Sequence, residues 1–362
     1  MKHLIATVTN DLTFDRRMQR ICRTLAANGF AVTLVGRELP NSKPLDIEPF
    51  RQHRLRCWFN KGKLFYLEFN IRLWWYLLWQ KADMVCAIDL DTIVPCFVVG
   101  KWKGWKRIYD AHEYFSEVPE VVHRPMVKKV WEWVGKIFIP KANLAYTVGP
   151  ALAKIFTERY HISFHSIRNV PDEATKAPIA TETGYLLYQG ALNKGRGLET
   201  LLTAMQHINL KLKIAGEGDL SNELREMAKS LGVADKVEFL GFVKPADLPE
   251  LTAGAWLGLN LLENMGLSYY YSLANKCFDY IQAEVPALHM DFPEYRSLVE
   301  KYPVAILLME LSPEAIVNAV NTLQLDEPRY NALVSECHQV KKNFTWQLEA
   351  QKLLTLYRDI RS

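Results

Sequence analysis

The sequence predicts two doubly wound α/β domains in tandem, each built on a parallel sheet. Three observations predict it. Short continuous runs of apolar and β-branched residues alternate with helical patterns along nearly the whole chain. The alternation breaks once, at PDEATKAPIATETG (171–184), which is rich in Pro, Ala and Thr and has no periodicity, so it reads as a linker. At 362 residues the chain exceeds what one ordinary core holds.

In the first domain (1–170), HLIATVT (3–9), FAVTLVG (30–36), MVCAID (84–89), KRIYDA (106–111) and LAYTVG (144–149) read as buried strands. Helical patterns fall between them at about 16–28, 64–80, 92–102, 126–139 and 150–159. The second domain (185–344) restarts with YLLYQG (185–190), LKLKIAG (210–216), KVEFLG (236–241), WLGLNLL (256–262), PALHM (286–290) and AILLM (305–309), each followed by a helical stretch. Helices at about 312–324, 327–343 and 345–360 complete the chain. Ligands of such sheets sit at the carboxyl ends of the strands, so the loops there carry the chemistry.

Composition narrows the function classes. Apolar residues make up 49% and charged residues 23%, as in a soluble globular protein. The net charge of +4 is unevenly spread: 51–141 holds 16 Lys/Arg against 9 Asp/Glu, a net of +7, which leaves −3 elsewhere. The same stretch holds eight of the ten tryptophans. Basic charge interleaved with Trp suits an anionic membrane surface; Trp-rich helices packed in a core are the alternative. No basic recognition helix or RNA-binding signature is present, so nucleic acid is not an expected partner. Uncharged runs stop at about a dozen residues, short of the ~18–20 a spanning helix needs. MKHLIATVTND reads as a first strand and not as a signal peptide. Six scattered cysteines form no CxxC pair, which points to a reducing, cytoplasmic compartment, with peripheral attachment to the inner face of the membrane as the matching location.

The strand-end loops divide into two sets. In the second domain, YQGALNKGRGLETL (188–201) ends a strand at Gly190, carries Asn193, Lys194 and Arg196, and opens a helix after Gly197. Glycines admit a ligand to the backbone, and a helix N-terminus with basic residues holds phosphate; a plain turn with solvated charges has the same spacing. AGEGD (215–219), with Glu217, ends the next strand. The long uncharged loop from 264 runs through Ser272 to a helix starting near Asn275, with Lys276 in its first turn and Asp279 three residues on. A Lys at a helix start suits an anion, and an acid on the same face suits ribose hydroxyls; a surface ion pair fits equally. In the first domain no GxGxxG occurs. TNDLTFDRR (9–17) surrounds a helix start with Asp11, Asp15, Arg16 and Arg17, and YDAHEYFSEVPE (109–120) sets His112 among Asp110, Glu113 and Glu117. His112 admits four readings: metal ligand, proton carrier, ion-pair partner or core histidine. A metal lacks second and third ligands at sensible spacing, and HExxH is absent.

DLDT (89–92), YDAHEYFSEVP (109–119), YQGALNKGRGLETL (188–201), GEGD (216–219) and SLANKCFDYIQAEVP (272–286) together resemble the retaining glycosyltransferases of the GT-B fold, family 4, in the branch that assembles bacterial surface polysaccharides. The resemblance covers nearly the whole chain. It implies two Rossmann-like domains facing a central cleft, with the 345–362 helix crossing back to the first. It implies nucleotide-sugar binding in the second domain and acceptor binding in the first. Arg196 then matches a diphosphate-binding position, Asp279 the second of two acids eight residues apart that holds the ribose, and His112 the histidine that approaches the reacting sugar. Gly190, Asn193, Glu217, Ser272 and Lys276 join the donor side, and Asp11, Arg16, Glu113 and Glu117 the acceptor side. Two positions depart from the pattern. Tyr271 stands where the first acid belongs, and uncharged Ala191 where a second diphosphate-binding arginine belongs.

The expected function is therefore transfer of a hexose-type sugar from a UDP- or GDP-linked donor to a cytoplasmic acceptor, lipid-linked or a polysaccharide precursor, with retention. Neither a metal nor a further cofactor is expected. Two rival readings stand beside it: a sugar-nucleotide epimerase of the same architecture, and a non-catalytic nucleotide-sugar-binding protein.

Overall fold

The computed structural model describes residues 1–13, 15–173 and 183–360. Most of the 171–184 linker lies outside the described residues. The chain divides into two compact units, Met1–Asn169 with Glu349–Ser362, and Val170–Leu348. Together they are two parallel-sheet α/β domains, as the alternating pattern predicts.

The first unit is a seven-stranded sheet of β1 (Lys2–Thr7), β2 (Phe30–Glu38), β3 (Arg51–Arg56), β4 (Met84–Ile88), β5 (Lys106–Ala111), β6 (Leu144–Thr147) and β7 (Phe164–Ser166). The strand order is β3-β2-β1-β4-β5-β6-β7. Pairing is parallel, with Leu4 between Val32 and Met84 in register. Leu4, Ile5 and Ala6 are fully buried, as are Val85, Cys86 and Ala87. Helices on both faces make strands of this kind continuous apolar runs. The last helix, Trp346–Asp359, contributes to this unit: Tyr357 is fully buried, its ring stands edge-on to Phe30, and its hydroxyl lies 3.2 Å from that of Tyr146.

The second unit is a six-stranded sheet of β8 (Tyr185–Gln189), β9 (Leu212–Ala215), β10 (Val237–Gly241), β11 (Ala255–Asn260), β12 (Ala287–Met290) and β13 (Ala305–Leu308), in the order β10-β9-β8-β11-β12-β13. In each sheet the order reverses beside the first strand, between β1 and β4 and between β8 and β11. Such switch points open a crevice at the strand carboxyl ends.

Two strands escape a reading based on apolar runs. β3 (RQHRLR) is an edge strand with one buried side chain, and β7 (FHS) is an edge of three residues. Edges carry polar and charged side chains, so the signal that marks a central strand is absent from them. All six cysteines are free and buried. Among the described residues no helix is long and apolar enough to cross a membrane.

Candidate active-site clusters at the strand ends

In the first unit the chain leaves β4 at Asp89 with φ +56°, a left-handed turn uncommon outside glycine. That turn closes onto β5. The Asp89 amide donates to the Asp110 carbonyl at 3.0 Å, and the His112 amide donates to Asp89 Oδ1 at 2.9 Å. His112 Nε2 then lies 3.3 Å from Asp110 Oδ2, while Asp110 Oδ1 accepts from Arg17 Nη2 at 2.9 Å. Arg17 Nη1 also donates to the Ile167 carbonyl. Arg17 is 4% exposed and Asp110 0%, so the two form a buried charge pair in which both guanidinium Nη atoms are hydrogen-bonded and Nε is left without a partner.

Electrostatics follow from that arrangement. Burial works to raise Asp110, but the Arg17 guanidinium and His112 outweigh it and hold the carboxyl below its usual range. Burial likewise works to lower His112, and the Asp110 carboxylate, with a smaller contribution from Asp89, overcomes it and lifts the imidazole to about 9. Burial raises Asp89 itself well above the usual carboxylate range. At neutral pH His112 is then an imidazolium, which donates from both ring nitrogens. Nε2 is committed to Asp110. Nδ1 makes no hydrogen bond among the described residues, and the side chain is 23% exposed. Burial raises Asp91 to about 6 although Thr9 Oγ1 donates to it at 2.6 Å.

The four acceptor-side candidates separate. Glu113 is exposed beside His112. Arg16 is half-buried, whereas its neighbour Arg17 is the one beneath the site. Asp11 serves its own turn, accepting from the Thr13 amide and from Ser42 Oγ. Glu117 is 7% exposed and takes Lys128 Nζ at 2.5 Å. Arg17 had a signal in the sequence: with Ile21 and Leu25 it falls on the buried stripe of the Arg16–Ala27 helix, at i, i+4 and i+8.

In the second unit, Gly190 and Gly216 end β8 and β9 with φ +140° and +150°. A Cβ at Gly216 would overlap the Gly190 carbonyl oxygen, so only glycine lets the two strand ends meet. Asn193 Oδ1 accepts from the Asp219 amide at 3.2 Å and joins the two loops. Lys276, in the first turn of the helix Asn275–Gln282, is 8% exposed, with Nζ 3.7 Å from the centre of the Tyr188 ring. The Arg196 guanidinium stands 4.8 Å from the Tyr269 ring centre, and its Nε is buried with no hydrogen-bond partner. Among the described residues neither cation reaches a carboxylate at ion-pair distance. Burial, with Arg196 nearby, pushes Lys276 well below the ordinary lysine range.

The remaining donor-side candidates take supporting places. Asp279 Oδ2 accepts from Gln189 Nε2 at 3.0 Å, and Thr252 donates to the other end of that glutamine. Ser272 Oγ donates to the Tyr269 carbonyl. Glu217 pairs with Arg225 at 3.1 Å, on an exposed edge. Tyr271 packs its ring edge-on against Tyr270, so aromatic surface fills the loop at the departing position. Sequence reasoning missed a buried polar group next to these. His289 stacks on Tyr295 and lies 3.2 Å from Asn260 Nδ2, and the Tyr295 hydroxyl accepts from the Ala274 amide just before Lys276. Burial and Lys276 hold His289 neutral, down at about 3. Gln189, Asn260 and His289 each stand at or next to the end of an apolar strand run, and that isolated polar residue was the available signal. Among the described residues no three His, Cys, Asp or Glu side chains are placed to share a metal ion.

Comparison with known proteins fixes the class. The family model for glycosyl transferases group 1 matches residues 169–340, and that for Glycosyltransferase Family 4 matches 15–172. The chain belongs to the GT-B glycosyltransferases of the family 4 type. Among curated proteins, human chitobiosyldiphosphodolichol beta-mannosyltransferase is 27% identical over 190 residues, 47% of this chain and 40% of that one. The match thus spans under half the length of that relative. Among solved structures, sucrose-phosphate synthase from Thermosynechococcus elongatus superposes with a TM-score of 0.84 at 16% identity, covering 99% of both chains. HepE of Anabaena in complex with UDP and glucose gives a TM-score of 0.77 at 13% identity, covering 99% of this chain and 100% of that one. At those identities the likeness is one of fold.

Proposed function

We propose that this glycosyltransferase moves a hexose-type sugar from a nucleoside diphosphate, UDP or GDP, to a lipid-linked or polysaccharide-precursor acceptor, with retention at the anomeric carbon. One observation carries the reading: Arg196 and Lys276 stand close together on tyrosine faces, beside a glycine-lined strand end, with no carboxylate at ion-pair distance among the described residues. Two basic groups so placed disfavour each other's charge, and a diphosphate favours the charged form of both. The fold neighbour that binds UDP and glucose makes UDP the first nucleotide to test.

In the reaction the bond from C1 to the leaving diphosphate breaks as the acceptor oxygen bonds to C1 on the same face. The acceptor proton passes to the departing phosphate oxygen. Arg196 and Lys276 stabilise the charge that develops on the diphosphate. Asp279, oriented by Gln189, takes ribose hydroxyls, and His112 offers its Nδ1–H to an oxygen of the sugar. Arg196→Ala should weaken nucleoside diphosphate binding by at least about tenfold in calorimetry, since each charge-assisted contact contributes ~1.5–3 kcal/mol. Unchanged affinity removes Arg196 from the site. Incubation with a panel of nucleotide sugars separates the rivals. Glycoside formation or donor hydrolysis supports transfer, inverted C2 stereochemistry means epimerisation, and binding alone means a non-catalytic protein.

A further inference from the structure

The helix Gly62–Trp79 is apolar on two opposite faces. Phe65, Phe69, Leu73 and Leu77 are buried against the first sheet at 4% exposure or less. Leu64, Leu67, Ile71, Trp75 and Trp79, again spaced by three and four, point outward at 54%, 60%, 50%, 60% and 81%. A helix on a soluble surface presents charge there. This one has no charged residue between Arg72 and Lys81. The loop before it is built to hold another ring outward. Glu68 accepts the amides of Trp58 and Phe59 at 2.9 Å, Arg72 Nε donates to Glu68 at 2.7 Å, and the Arg72 guanidinium covers the Trp58 indole at 4.8 Å. Trp58 stays 83% exposed despite these anchors.

We propose that this face docks on an anionic lipid bilayer, with the Gly62–Trp79 helix lying in the plane of the interface. The chemistry favours lipid over a protein partner. Aliphatic side chains occupy the middle of the stripe, while Trp58 and Trp79 mark its ends, the place where indoles sit at headgroup level. Lys61, Lys63, Lys81 and Lys101 stand exposed around the stripe. Protein interfaces are depleted in lysine, whereas anionic headgroups attract it. The surplus of +7 over 51–141 understates the surface charge, because Asp91 and Asp110 are buried among its nine acids. The helix does not cross the membrane and the stripe is one-sided, so the contact is peripheral.

The test needs no donor, so it can fail independently of the transferase reading. The full chain is sedimented with phosphatidylcholine vesicles, with and without about a third phosphatidylglycerol. Binding to the anionic vesicles is expected, with tryptophan fluorescence quenched by lipids brominated in the acyl chain. Trp58→Ser/Trp75→Ser/Trp79→Ser should weaken binding by at least about tenfold and remove most of the quenching. The variant should keep wild-type affinity for UDP, since these side chains are already in water and the second unit is untouched. No sedimentation with anionic vesicles overturns the proposal. So does binding that Lys61→Gln/Lys63→Gln/Lys101→Gln abolishes while the tryptophan variant retains it, for charge alone then suffices. Self-association at the same concentrations, lost in the tryptophan variant, would mean that a second copy covers the face, and it too overturns the proposal.

Discussion

At the scale of single residues, His112 and Lys276 are opposite solutions to burying a titratable cation. His112 is given the Asp110 carboxylate, with Asp89 beside it, and is lifted to about 9; Lys276 is given a tyrosine ring and a second cation, and burial pushes it well below the ordinary lysine range. Each predicts a pH signature. His112 sits above its ordinary value, so its charge contributes stability fully below about pH 6.5. That contribution fades as pH rises through about 9. In urea titrations the stability difference between the natural chain and His112→Gln should therefore narrow across that window, and a constant difference would mean that His112 carries no charge. Lys276 runs the other way. A diphosphate favours its charged form, so binding takes up a proton and affinity falls as pH rises. Calorimetry at about pH 9 in two buffers of different ionisation enthalpy should show the uptake; identical heats would place the diphosphate elsewhere. For catalysis, His112→Ala should lower kcat by about a hundredfold or more and leave the UDP Kd nearly unchanged. A folded variant with near-normal turnover would free His112 of that role.

At the scale of elements, the donor-side cradle depends on two strand ends meeting, β8 at Gly190 and β9 at Gly216. Gly216→Ala sets a Cβ against a carbonyl in a backbone region that side chains rarely adopt. It should cost at least about 2 kcal/mol in denaturant unfolding of the second unit and weaken UDP binding with it. A variant of normal stability would show that the strand ends can part. The central strands were readable because both their faces are buried, which leaves continuous apolar runs such as YLLYQ and MVCAI. β3 and β7 were not, since an edge strand owes its place to backbone pairing that leaves little trace in side-chain type. The same limit applies to the clusters. His112, Lys276 and Asp279 stand out by type and position, but the Arg17–Asp110 pair joins residues 93 apart and the Asn260–His289 contact residues 29 apart. Only the folded topology brings those groups together. Choosing between Arg16 and Arg17 required the buried stripe of their helix and not the charge alone.

At the scale of the whole molecule, the donor-side residues belong to one unit and the histidine cluster to the other. UDP alone should therefore protect the second unit selectively. At a ligand concentration of about a hundred times Kd the stabilisation is ~2.7 kcal/mol. Hydrogen exchange should slow around 190–197 and 275–282 and stay unchanged around 84–112; equal protection of both stretches would mean that the units open as one. The division also sets an order of assembly. The second unit is continuous from Val170 to Leu348, whereas the first is completed by the segment from Glu349, which places Tyr357 against Phe30 and Tyr146. During synthesis from the N-terminus, the domain begun second holds all its residues while the domain begun first still lacks its closing helix. Until Tyr357 leaves the ribosome, the seven-stranded sheet carries an uncovered apolar seam beside Tyr146, and this nascent species is the one most open to chaperones and proteases.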